Sequence, residues 1–225
     1  MTSSEAWPPG KTYRTPITHR QWLTENTFTI ALHRPVDFQY RAGQRIRIFV
    51  EGEARDYSLI PGDTPDLLAL LIRRVATGVI SAYLADCPLE TALKIGGPRG
   101  HFIYRPSSRP AVFIATGTGV APFVAMCDAD VKGFVLLHGV REATELYYRD
   151  RLEPSAARYI PCLTGRRAKG LPGVYQGRVT TYLQQRLPPG DYDFYLAGRR
   201  EMIADTIATV DDRFASSRVY SEIFF

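Results

Sequence analysis

From Thr12 to about residue 105, apolar and polar positions alternate in short runs set apart by turn residues: TYRTPITHR, NTFTIALHR, QRIRIFV, RDYSLI, LLALLIRRV and ALKIGG. A period of two, rich in β-branched residues, turns one face of each run toward a core, which predicts an antiparallel β-barrel. One segment breaks the period. VISAYLAD, Val79 to Asp86, follows Thr77-Gly78 and precedes Cys87-Pro88, the punctuation of a short helix. After SSRP, Ser107 to Pro110, the rhythm changes. Apolar strands then alternate with helical stretches: AVFIAT with VAPFVAM, GFVLLHG with ATELYYRDRL, ARYIPCLT with GRVTTYLQQR, DYDFYLAG with EMIADTIATV, and RVYSEIFF last. About five strands with intervening helices predict a parallel sheet covered on both faces. The expected organisation is therefore a barrel domain over residues 1–107 and an α/β domain over residues 108–225.

The strand ends carry the first chemical signal. The run Ala111–Ala115 leads into TGTGVAP, where glycines allow a tight turn and bring main-chain N–H groups close to a ligand such as a phosphate. The dinucleotide pattern G-x-G-x-x-G requires a third glycine where Pro122 stands, so this turn alone fits a packed βα connection as well as a nucleotide site. Two further strands end the same way, LLHG and YLAG. All three exits fall at the carboxyl edge of a parallel sheet, where the crevice of such folds lies, and their coincidence favours a nucleotide ligand.

Composition narrows the classes. The 225 residues are 45% hydrophobic and 23% charged, ordinary for a globular chain with a sizeable core. No apolar run is long enough to cross a bilayer, and MTSSEAWPPG lacks the basic start and apolar centre of a signal peptide, so the expected location is cytoplasmic, with no membrane partner. Cys87, Cys127 and Cys162 are far apart and odd in number, and His19, His33, His101 and His138 are scattered. These spacings argue against a disulfide framework, an iron–sulfur cluster or a metal site. The net charge of +5 suits a nucleic acid, an anionic cofactor or an acidic protein. Basic and acidic residues are interleaved and no nucleic-acid-binding motif is visible, so no nucleic acid partner is expected.

Three barrel motifs occur in order: Arg55-Asp56-Tyr57-Ser58, then Leu71-Ile72-Arg73-Arg74, then Gly78-Val79-Ile80-Ser81. They fit R-x-Y-S, a basic strand end and G-x-x-S. With GTGVAP downstream, the set resembles the ferredoxin–NADP reductase family of flavoproteins, from Arg55 to the C-terminus. The resemblance implies an FAD-binding barrel followed by an NAD(P)-binding domain, with FAD the expected flavin and FMN the minority case. Residue chemistry agrees with it: Tyr57 suits the isoalloxazine face, Ser58 suits the flavin N5 region, Arg55 suits a phosphate, and Gly78 to Ser81 opens a helix toward a phosphate. Leu71, Ile72 and Arg73 would complete the flavin site, with Thr116 reaching toward it.

For the second domain the resemblance implies that Thr116, Gly117, Thr118, Gly119 and Pro122 receive the nicotinamide and pyrophosphate. Arg141, Arg166, Arg167 and Arg178 are candidates for a 2′-phosphate, which favours NADPH and leaves NADH possible. The family commonly carries Cys-Gly after its penultimate strand, where this chain has Ala197-Gly198. The ending Ser221-Glu222-Ile223-Phe224-Phe225 is similar to the carboxylate and aromatic that close such reductases, with the register of Phe224 and Phe225 left open. The implied activity is hydride transfer between NADPH and FAD, and single-electron transfer to a ferredoxin- or flavodoxin-like carrier. Two alternatives stand beside it: a reductase component of an oxygenase or a free-flavin reductase, and a non-catalytic flavin-binding electron-transfer subunit.

Overall fold

A computed structural model of the chain describes residues 11–165 and 172–224. The first part holds β1 (Thr12–Thr24), β2 (Thr27–His33), β3 (Arg45–Val50), β4 (Glu53–Ser58), β5 (Ile60–Pro61), β6 (Leu67–Arg73), α1 (Val79–Asp86) and β7 (Ala92–Arg99). These strands form one antiparallel sheet in the order β4-β3-β7-β1-β2-β6-β5. The sheet curls until β4 comes against β6, and α1 packs against β3 and β4. Alternation in the sequence becomes alternation in space: Ile46 and Ile48 of β3, and Leu68, Leu70 and Ile72 of β6, are buried in a core with Phe28 and Ile30. The run RDYSLI divides into β4 and β5.

The second part holds β8 (Ala111–Thr116), α2 (Ala121–Asp128), β9 (Phe134–Val140), α3 (Arg149–Leu152), β10 (Ala156–Leu163), β11 (Tyr175–Gln176), α4 (Val179–Arg186), β12 (Asp193–Gly198), α5 (Arg200–Arg213) and β13 (Arg218–Ile223). The six strands lie parallel in the order β11-β10-β9-β8-β12-β13. The short β11 is the strand beyond the five expected. Successive residues of β8 serve opposite layers. Phe113 and Ala115 pack with α2, whereas Val112 and Ile114 pack with α4 and α5.

One expected helix is largely absent. ATELYYRDRL forms a 3₁₀ turn at Ala143–Glu145 and the four residues of α3. Tyr148 interrupts it in the left-handed region, at φ 56°, which an uninterrupted α-helix does not tolerate. Its ring lies under the Arg151 guanidinium, 5.2 Å from the centroid, and Tyr147 beside it is buried, so tertiary contacts outweigh helical propensity here. The three cysteines are buried thiols. Among the described residues no helix is long and apolar enough to cross a membrane.

Candidate functional site

The strand order of the parallel sheet reverses at β8: the chain runs outward through β9 to β10 and then returns to β12 on the other side. A crevice opens at such a reversal, beyond the carboxyl ends of the strands. Here it is walled by the ends of β8 and β12, which touch. A Cβ on Gly198 would overlap the Thr116 hydroxyl, and one on Gly119 would overlap the Ala197 carbonyl. The Arg199 N–H donates to Thr116 Oγ1 at 3.1 Å. Gly117–Val120 form a 3₁₀ turn that feeds α2, whose second residue is Pro122. The proline that breaks the glycine pattern therefore starts a helix, at a position where its missing N–H is no loss.

This crevice leads into a cavity of about 760 Å³. Arg73 and Val75 of the barrel form one side, and Thr116, Gly117, Thr118, Gly139, Arg141, Thr164 and Gly198 bring the strand ends to the other. Arg178, at the start of α4, and Phe224, at the end of the chain, complete the wall. The guanidinium groups of Arg73, Arg141, Arg178 and Arg199 enter no ion pair among the described residues. Glu145 also lines the cavity, but its Oε2 accepts the N–H groups of Arg141 and Glu142, each at 3.0 Å. Beneath this floor His138 is fully buried, with Nδ1 2.8 Å from the Tyr159 hydroxyl. Burial pulls its pKa down to about 4, so the ring is neutral at physiological pH.

On the barrel side, the register pairs Arg45 with Ser58, Ile46 with Tyr57 and Arg47 with Asp56. Ser58, Asp56, Arg45 and Arg47 share one face of the sheet, and Tyr57 turns to the other, half-buried against the barrel core. Burial pushes the Tyr57 phenol up to about 12. Asp56 accepts from Arg47 through both oxygens, at 2.7 and 3.2 Å, and lies 3.1 Å from Arg45 Nε. Ser58 is buried, and its hydroxyl donates to Glu222 Oε2 at 3.1 Å. Arg45 Nη1 donates to the other Glu222 oxygen at 2.8 Å. Burial raises the pKa of Glu222, while Arg45 and Ser58 oppose the rise. β13 lies on β12 with Glu222 opposite Ala197, and the Phe224 N–H donates to the Gly198 carbonyl at 2.9 Å. That bond sets Phe224 at the cavity.

Gly78 is the N-cap of α1. The Ser81 hydroxyl accepts from the Val75 N–H at 3.1 Å and donates to the Gly78 carbonyl at 3.4 Å, pinning the turn before the helix. The leading N–H groups of α1 have no intrahelical acceptor, with the half-exposed side chains of Val75 and Val79 beside them. Arg55 is exposed and enters no ion pair among the described residues. Leu71, Ile72 and Ile80 are buried, so of the Leu71-Ile72-Arg73 run only Arg73 reaches the cavity. Arg166, Arg167 and Phe225 lie outside the described residues. Arg45, Thr164 and Arg199 are among the residues that join the site without being marked by any motif. The R-I-R-I alternation of β3 is a signal for the first, since it puts two cations on one face of a strand.

Comparison with known proteins finds two successive domain matches. Residues 15–104 match the oxidoreductase FAD-binding domain, and residues 113–207 match the oxidoreductase NAD-binding domain. The toluate 1,2-dioxygenase electron transfer component of Pseudomonas putida is 30% identical over 85% of this chain and 61% of its own length. The chain therefore spans about three fifths of that relative's length, and 37% of the length of the Yersinia CDP-6-deoxy-L-threo-D-glycero-4-hexulose-3-dehydrase reductases that it also matches. A ferredoxin NADP+ reductase from Neisseria gonorrhoeae, solved with FAD and NADP, superposes with a TM-score of 0.83 at 25% identity, covering 96% of this chain and 99% of that one. An Amycolatopsis cytochrome P450 reductase superposes with a TM-score of 0.81 at 25% identity, over 99% of this chain and 73% of that one. With both domain matches in the order the two sheets follow, the chain belongs to the FAD- and NAD-binding oxidoreductases of the ferredoxin–NADP reductase family.

Proposed function

We propose that the barrel, residues 1–107, holds FAD, that residues 108–225 hold NADPH, and that the chain carries electrons between NADPH and a one-electron protein carrier. One observation carries the reading: a cavity rimmed by arginines that enter no ion pair among the described residues lies at the strand reversal, with Phe224 on its wall, and the buried Ser58–Glu222 pair joins β4 of the barrel to β13 two residues before that phenylalanine. The donor set fits both groups. The start of α1 and Arg55 offer N–H donors and charge for the FAD phosphates. Ser58 presents a hydroxyl for the ring system, and Tyr57, on the other face of β4, presents an aromatic ring that the barrel core covers only in part. Gly117, where an added Cβ would meet nothing within 4 Å, leaves its backbone open to the approach of a dinucleotide. When bound, FAD supplies the exchange between two-electron and one-electron chemistry.

The protein's own work is alignment and exclusion of water. The Thr116 hydroxyl, fixed by the Arg199 N–H, and the Phe224 ring bound the space where a nicotinamide meets a flavin. Ala197 brings no thiol to that space. Arg141 and Arg178, with Arg166 and Arg167 in the sequence between them, favour a 2′-phosphate and hence NADPH over NADH. The Neisseria relative, solved with NADP, supports the same choice. The acceptor in this reading is a ferredoxin- or flavodoxin-like protein. A second reading, a reductase component serving an oxygenase, draws on the Pseudomonas relative, which is an electron transfer component of a dioxygenase.

The visible spectrum of the purified protein, followed anaerobically after NADPH or NADH, tests the proposal. Flavin bands that bleach at lower NADPH than NADH concentration are expected. Preference for NADH removes the 2′-phosphate assignment alone, flavin that neither nucleotide bleaches removes the reductase reading, and failure to take up FAD removes the barrel site.

A further inference from the structure

Ser58 has one hydroxyl proton, and it is committed to Glu222. Glu222 is only 5% exposed, so a negative charge there is costly unless another group compensates it. Arg45 compensates it. Arg45 and Ser58 are register partners on β3 and β4, and each takes a different oxygen of a carboxylate that arrives from β13 of the other sheet. Arg45 is itself held from behind by Asp56, 3.1 Å from its Nε, and Asp56 is anchored in turn by Arg47. Arg99 stands 3.7 Å from Asp56. From β12, the neighbour of β13, the register partner is Ala197, which brings no charge. The charges around Glu222 are therefore Arg45 and, behind it, Asp56 with Arg47 and Arg99.

We propose that Arg45 is a positioning residue that keeps Glu222 ionised and thereby fixes the direction of the Ser58 proton. The functional meaning rests on the flavin reading above; the coupling between Arg45 and Glu222 does not. With Glu222 ionised, the Ser58 proton points into the carboxylate, and Ser58 offers only lone pairs to a group bound beside it. With Glu222 protonated, the acid donates to Ser58 Oγ, and the hydroxyl proton is free to turn toward the bound group. Arg45 thus selects whether Ser58 acts as acceptor or donor, and sets the pH at which the roles exchange. Burial and Asp56 favour the protonated acid, whereas Arg45 and the Ser58 hydrogen bond favour the carboxylate.

The test is an infrared titration of the buried carboxylic acid band, assigned by its loss in Glu222→Gln, on protein with and without added FAD. Wild type should show Glu222 ionised at pH 7. Arg45→Met should move the midpoint upward by about 1–3 pH units, the usual effect of removing an adjacent opposite charge. Arg45→Lys, which keeps the charge, should restore most of the shift. In FAD-loaded protein the pH limb of NADPH oxidation should move with the infrared midpoint. A midpoint unmoved by Arg45→Met, or moved as far by Arg45→Lys, overturns the proposal. Should Arg45→Met fail to fold, wild type decides: Glu222 protonated at pH 7 overturns it, and ionised, with a near-normal Arg45→Lys midpoint, supports it. An infrared shift in a protein that takes up no FAD upholds the coupling and refutes the flavin reading separately.

Discussion

Gly198 ends β12 at φ 140°, and the Thr116 hydroxyl occupies the place where its Cβ would stand. Both the conformation and the contact demand glycine, because an alanine would push Thr116 away from the Arg199 N–H it accepts. Gly198→Ala is expected to lower stability by about 1–3 kcal/mol, the usual cost of a residue forced into a sparsely populated conformation. It should also weaken NADP(H) binding, because the crevice wall itself moves. Urea unfolding and nucleotide titration of the same variant check both; a variant with wild-type affinity would detach Thr116 from the site. Residues of this kind are legible in sequence, since a glycine that closes an apolar strand signals a tight turn or a close backbone approach. The Arg45–Glu222 contact is not. Its partners are 177 positions apart, and either one alone reads as a surface charge or as part of a terminal strand.

At the scale of elements, α1 shows how a short helix is made rigid enough to present its first turn. Eight residues are too few for helix stability on their own. The Ser81 hydroxyl ties down the N-terminal turn, and at the other end Arg20 of β1 donates from Nε to the Leu84 carbonyl at 2.9 Å and from Nη2 to the Cys87 carbonyl. A cation on the last carbonyls also complements the helix dipole. Arg20→Ala should therefore destabilise the barrel by about 1.5–3 kcal/mol, the range for hydrogen bonds to a charged group. It should also reduce FAD retention, although Arg20 lies at the end of α1 opposite its leading N–H groups. Flavin content after gel filtration, beside the unfolding midpoint, checks this, and full retention would mean that α1 holds its shape without the clamp. VISAYLAD is readable as a helix with its observed bounds because Gly78 and Cys87-Pro88 punctuate it. ATELYYRDRL is not, because the left-handed Tyr148 is set by Arg151 and the packing around Tyr147, which no local pattern encodes.

Across the whole molecule the two sheets share a core. Ile60, Leu71 and Phe102 from the first part pack in one cluster with Phe113 and Phe123 from the second, so the cavity walls are held by apolar burial. Two buried ionisable groups of the second sheet then give stability a pH dependence of opposite sign. His138 titrates at about 4 in the folded state against 6.5 ordinarily, so the unfolded chain binds the proton more readily. Its contribution is complete above pH 6.5 and is lost as pH falls toward 4, a loss of about 3 kcal/mol by linkage. Glu222 acts the other way. Its folded pKa lies above the ordinary 4.5, so the folded state binds the proton more readily, and stability declines as pH rises from 4.5 through the raised value. Unfolding midpoints of wild type, His138→Phe and Glu222→Gln between pH 4.5 and 8 separate the two. The advantage of wild type over His138→Phe should shrink as pH falls below 6.5. The stability of Glu222→Gln relative to wild type should rise with pH, because the variant has no buried charge to form. Parallel curves for His138→Phe would mean that this ring is protonated as easily in the folded chain as in water, and that the floor beneath Gly117 is open to solvent.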